Sequence, residues 1–145
     1  MAWVRLTRTG ELRWHAPYRA TESDAVERLV QSFRALNAKH FGGALPEVPI
    51  RISGRLKRRL GQITVERATG RPLAITIARR HLAAHDWREV EETLLHEMVH
   101  LWQCVSGERV NHGAHFRAKA RAVGVTAAAR RMVRDATCGT GDGPA

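Results

Sequence analysis

Apolar residues along the chain recur with two different periods, and the change of period divides the sequence into parts. Val26, Leu29, Val30, Phe33, Leu36 and Phe41 follow the helical repeat, which predicts an amphipathic helix capped by Thr21 or Ser23. Gly42-Gly43 ends it, and Pro46 and Pro49 keep the next stretch out of helix. From Val48 the apolar runs shorten and alternate: Val48 to Ser53, Gly61 to Glu66 and Leu73 to Ala78, with Thr69-Gly70-Arg71-Pro72 as a turn. They predict a small three-stranded sheet. Asp86, with Glu89 three residues later, has the form of a capping box opening a helix from Trp87 to Val105. Its apolar residues Val90, Leu94, Val99, Leu101 and Trp102 fall on more than one side, the pattern of a buried central helix. Ser106-Gly107-Glu108 breaks it, and a further helix beginning near His112 or Gly113 carries Phe116, Ala120 and Val123. Gly124 precedes a last amphipathic piece, Thr126 to Arg134. At the other end, Val4, Leu6, Leu12 and Trp14 around Thr9-Gly10-Glu11 predict a hairpin. The expected fold class is α+β.

A chain of 145 residues is long enough to bury one core, so a single domain over residues 1–136 is expected. Residues 137–145 are Gly-rich with little to bury and are expected to be a disordered tail. Cys104 and Cys138 show no paired spacing, which argues against a disulfide framework and for a reducing compartment. The start, Met1 to Arg8, lacks the apolar run of a secretion signal, and no apolar stretch is long enough to span a bilayer. A soluble, cytoplasmic monomer without membrane contact is expected.

Histidine spacing carries the chemistry. In His96-Glu97-Met98-Val99-His100 the two histidines stand four apart, so on a helix they lie about 40° apart in projection and about 6 Å apart along the axis. Both imidazoles can then reach one ion, and Glu97 can reach a water beside it without being a ligand. A catalytic zinc takes three protein ligands and leaves a fourth position for water. Downstream, His112 and His115 both qualify as the third ligand by spacing alone. His15, His40, His81 and His85 are read as surface or satisfied core residues, Trp87 and Trp102 as packing, and Cys104 as a small buried hydrophobe.

Lys and Arg number 24 against 14 Asp and Glu, a net charge of +10. Such a surplus attracts polyanions, of which nucleic acid is the commonest inside a cell. The competing reading is an arginine-rich surface that is merely solvated. Candidate phosphate contacts are Arg55, Lys57, Arg58 and Arg59 between the first two strands. Arg117 with Arg121, and Arg130 with Arg134, add two pairs on shared helical faces.

The motif His96-Glu97-Met98-Val99-His100, followed by His112-Gly113-Ala114-His115-Phe116, resembles the SprT-like zinc metalloprotease domain. In that family a block of the form His-Gly-x-x-aromatic supplies the third ligand. Phe33, Leu36-Asn37, Phe41-Gly42-Gly43, Leu45-Pro46 and Ile52-Ser53-Gly54-Arg55-Leu56 through Gly61 resemble its first helix and strands, so the similarity covers about residues 26–124. The resemblance implies a zincin-like domain in which His96, His100 and the following helix's His112 hold one zinc ion. It implies Glu97 as the catalytic base and His115 as a neighbour in the surrounding shell or the cleft. The implied activity is zinc-dependent hydrolysis of peptide bonds in protein substrates, including proteins bound or crosslinked to DNA, as in DNA–protein crosslink repair. Spartan-type members carry a zinc ribbon or other DNA-binding segments after the catalytic domain. This sequence has no Cys-x-x-Cys pair, so contact with DNA is expected from the domain's own basic surface. The alternative from another class is a nucleic-acid-binding module whose zinc site is structural or weakly catalytic.

Overall fold

The computed structural model describes residues 3–6, 12–15 and 18–125. Strands β1 (Trp3–Leu6) and β2 (Leu12–His15) pair antiparallel, with Trp3 opposite His15 and Leu6 opposite Leu12, as the alternation predicts. Helix α1 (Tyr18–Phe41) starts earlier than expected, so Thr21 and Ser23 lie inside it rather than capping it. Hydroxyl side chains are tolerated in a helix interior, and the stronger start signal in the sequence is Pro17, just before Tyr18. The end is as predicted: Gly42 and Gly43 both have positive φ, at 59° and 75°, and the Gly43 N–H returns to the Asn37 carbonyl at 2.9 Å. The Asn37 side chain then clasps the departing chain through two bonds to the backbone of Leu45, at 2.9 and 3.1 Å.

Strands β3 (Ile50–Ser53), β4 (Gly61–Val65) and β5 (Pro72–Ala78) form the small sheet. Its order is β3-β5-β4: β5 runs parallel to β3 and antiparallel to β4, so among the described residues β4 is an edge strand. Helix α3 (Trp87–Val105) lies against this sheet, with α1 and α4 (Ala114–Val123) beside it. Every residue from Thr93 to Leu101 is buried, so the middle of α3 has neighbours on all sides. Leu94, Met98, Val99 and Leu101 meet Ile63, Ile75 and Ile77 of the sheet, Leu29 and Phe33 of α1, and Phe116 of α4 in one core. Both boundaries of α3 match the expectation. Its start carries the full capping box, Glu89 N–H to Asp86 Oδ1 at 3.0 Å and Asp86 N–H to Glu89 Oε2 at 3.3 Å. The expected last helix from Thr126 and the tail at 137–145 lie outside the described residues.

A short helix, α2 (Arg79–Ala84), has no counterpart among the expected elements, because six residues are too few to display a period. It positions His81, which is 1% exposed. The Thr93 hydroxyl donates to the Glu89 carbonyl at 3.3 Å, so it accepts from His81 Nε2 at 2.8 Å, and His81 Nδ1 accepts from His85 Nδ1 at 2.6 Å. Burial, aided by the neighbouring His85, pushes the His81 pKa from 6.5 down to about 4. Within that window the unfolded chain takes up a proton that the folded chain refuses. Stability present at pH 7 is therefore lost as pH falls from 6.5 toward about 4, by about 3 kcal/mol from this residue. Urea unfolding at pH 7 and pH 4 checks it: wild type loses that much more than His81→Gln, whereas equal losses in the two proteins contradict the assignment.

Candidate metal centre

The capping box fixes where α3 begins, and helical spacing then brings His96 and His100 onto one face, with ring centroids 5.0 Å apart. After Gly107, whose φ of 77° needs no side chain, the backbone turns back and Glu108 N–H bonds to the Gln103 carbonyl at 2.9 Å. That return carries His112 to the same place. Its ring centroid lies 5.6 Å from that of His96 and 4.8 Å from that of His100, and each of the three histidines offers a nitrogen within 4.8 Å of the others. His112 sits in the loop just before Gly113, the N-cap of α4, so the third histidine comes from the loop rather than the following helix. Phe116, in the first turn of α4, stacks on His100 at 4.4 Å and meets His96 and His112 edge-on at 5.0 and 5.1 Å. One aromatic ring thus buttresses all three imidazoles.

The polar atoms here are arranged for a cation. His96 is 0% exposed, yet neither ring nitrogen has a hydrogen-bond partner. His100 Nε2 and His112 Nε2 face each other at 3.0 Å, a contact that repels as two lone pairs and attracts only with a proton or cation between them. Burial holds the His96 pKa well below 6.5 and pushes His100 down to about 3, and it also lowers His112. All three rings are kept neutral, the form that binds metal. Three neutral imidazoles, one with both nitrogens orphaned and two with Nε2 atoms turned on each other, fit a metal ion. Glu97 is 1% exposed, and neither of its oxygens has a partner. Burial raises its pKa to about 8, opposed by the charge of Arg59, and a dication among the imidazoles acts in the same direction as Arg59.

The SprT-like family matches residues 29–137. This chain belongs to the SprT-like family. Comparison with individual curated proteins gives no match. Membership associates the chain with a metalloprotease-type domain, and the family block His112-Gly113 now has a physical reading. A Cβ on Gly113 would stand 3.0 Å from Asn111 Oδ1, which accepts the Gly113 N–H at 2.9 Å. The glycine allows this tight turn beside the third histidine.

Other candidate residues in the SprT-like chain are spread apart. His115 is exposed, paired through Nδ1 with Glu108 and set edge-on to Trp102, outside the three-histidine group. Arg55, Lys57 and Arg58 are exposed between β3 and β4, while Arg59 is half-buried and donates to Gln62 at 2.7 Å. Arg117 donates to the His112 carbonyl at 2.9 Å, bracing the loop, and Arg121 is exposed. Arg130 and Arg134 lie outside the described residues. Burial raises the half-buried Cys104 thiol to about 11, consistent with packing rather than reactivity. No helix among the described residues is long and apolar enough to cross a membrane.

Gln103, Asn111 and Gly61 are not among the residues that the sequence singles out for the site. Gln103 is 0% exposed and its side chain lies 2.8 Å from His100 Nδ1. The available signal was a polar residue one turn after a candidate ligand on a helix expected to be buried. A Cβ on Gly61 would stand 2.7 Å from Thr93 Cγ2 and 3.3 Å from Glu97 Cγ, so this glycine lets β4 close onto the carboxyl. Nothing in a single sequence marks that approach.

Proposed function

We propose that this SprT-like chain is a zinc-dependent endopeptidase of zincin type whose substrates are proteins bound or crosslinked to DNA. The observation that carries the reading is the buried, unpartnered carboxyl of Glu97 beside three buried or half-buried neutral imidazoles. His96, His100 and His112 would hold the ion. A structural zinc site fills four positions with protein donors. Among the described residues the group has three, and Cys104 is not in it. When bound, zinc supplies a Lewis acid that activates water near neutral pH and polarises a carbonyl. Glu97 takes the proton from the attacking water as its oxygen bonds to the scissile carbon, then delivers that proton to the amine nitrogen as the C–N bond breaks. Burial excludes bulk water from this transfer.

Edge strand β4 supports a polypeptide substrate, because it passes directly against Glu97 at Gly61. An extended peptide laid along a free edge gains main-chain hydrogen bonds whatever its side chains, which gives low sequence selectivity. The charge of +10 and the exposed Arg55, Lys57 and Arg58 support DNA as the partner. Arg80 holds that loop by donating to the Leu56 and Arg59 carbonyls at 3.4 and 3.1 Å.

The test is cleavage of a protein crosslinked to DNA, compared with the free protein, with and without a chelator. Cleavage is expected to stop with the chelator, return with zinc and be faster on the crosslinked form. Zinc uptake with no cleavage of either form would replace this reading with the binding-module alternative. Cleavage indifferent to DNA and to salt would remove the DNA clause alone.

A further inference from the structure

We propose that Gln103 is a positioning residue that sets the ring tautomer of His100 and ties it to the His112 turn. The proposal rests on the reading of the three imidazoles as metal ligands. It follows from the direction of a short chain of hydrogen bonds, and that direction is fixed by the main chain.

The Gly113 N–H donates to the Asn111 amide at 2.9 Å, and a backbone N–H can only donate. The Asn111 atom facing it is therefore Oδ1. This oxygen also faces the Gln103 side chain at 3.4 Å and must meet Nε2 there. Independently, the Asn111 N–H faces the other atom of the Gln103 amide at 3.4 Å, which must be Oε1. Both contacts are long, but two main-chain donors agree on one orientation of Gln103. Its Oε1 then lies 2.8 Å from His100 Nδ1 and can only accept, so Nδ1 carries the hydrogen. A neutral imidazole has one N–H, which leaves Nε2 as a lone pair directed at His112 Nε2, 3.0 Å away.

Rotating the Gln103 amide by half a turn would place a donor against Nδ1 and move the ring hydrogen to Nε2, where it would block the metal. At 0% exposure no bulk water competes to permit that rotation. Gln103 also differs from a carboxylate in this position: it orients the ring without adding charge. The same side chain reaches Asn111, the residue before His112, so one buried amide serves two of the three ring-bearing positions.

The experiment reads tautomers directly, by long-range nitrogen–proton correlation of the histidine rings in the metal-free full chain. Zinc affinity is measured beside it by competition with a chromophoric chelator. In wild type, His100 is expected as the Nδ1–H tautomer. Gln103→Leu is expected to mix the tautomers and weaken zinc by about 10- to 100-fold. Gln103→Glu, which keeps an acceptor at Nδ1, holds the Nδ1–H form. Asn111→Ala keeps the main-chain donor to Oε1 and also holds it, while weakening zinc through the His112 side. A wild-type His100 in the Nε2–H form overturns the proposal, as does a Gln103→Leu protein with unchanged tautomer and affinity. Should Gln103→Leu not fold, a lost Nδ1–H form in Gln103→Glu also overturns it. Failure of the metal reading shows separately, as no zinc uptake by wild type, and the tautomer measurement still decides the role of Gln103.

Discussion

Glu97→Gln is expected to lower kcat/KM on a cleavable protein by about 10³-fold while zinc content stays at the wild-type level. The amide occupies the same space but cannot take a proton from water. His96 and His100 keep their places, because α3 holds them through packing from Thr93 to Leu101. Parallel assays of cleavage and bound zinc decide it, and retained cleavage would assign the base to another group. The same change is expected to raise the thermal midpoint of the metal-free protein at pH 7. A carboxyl with its pKa raised from 4.5 to about 8 stabilises least as pH rises through that window, and a neutral amide has no such penalty.

Gly61→Ala is the second large effect, and it arises from one methyl group. The new Cβ would stand 2.7 Å from Thr93 Cγ2 and 3.3 Å from Glu97 Cγ. Thr93 cannot easily turn away, since its hydroxyl binds both His81 and the Glu89 carbonyl. Strand β4 cannot easily retreat either, since Gly61 is paired with Ile77 of β5. Overpacking of this kind costs about 2 kcal/mol, and a displaced general base costs about 10²-fold in kcat. Denaturant melts together with steady-state kinetics separate the two losses. Wild-type values in both would mean that β4 and α3 are not held this closely.

The parts legible in the sequence were those with local causes. Asp86 and Glu89 announced the start of α3, and Gly42-Gly43 the end of α1, because caps are made within a few residues. The start of α1 differs from the expectation because Thr21 and Ser23 are good caps that also fit inside a helix. Strand order was not legible, since the insertion of β5 between β3 and β4 depends on packing against α3. At the site, periodicity brought His96, Glu97 and His100 together, but spacing alone left His112 and His115 as rivals. Their difference lies in the Asn111-Gly113 turn and in the pairing of His115 with Glu108. Gln103 was invisible for a similar reason: a buried amide is recognisable only when its partners across the loop are known.

Met98 and Val99, which separate Glu97 from His100, are 0% exposed core residues rather than spacers. Random substitution through this part of α3 therefore harms the amount of folded protein before it harms the turnover of each molecule. A survey of variants scored by cellular abundance and another scored by activity should give nearly the same map from Thr93 to Leu101. They should part at His96 and His100, which would hold the ion, and most clearly at Glu97, where a change that removes the chemistry leaves the protein as abundant as before, or more so.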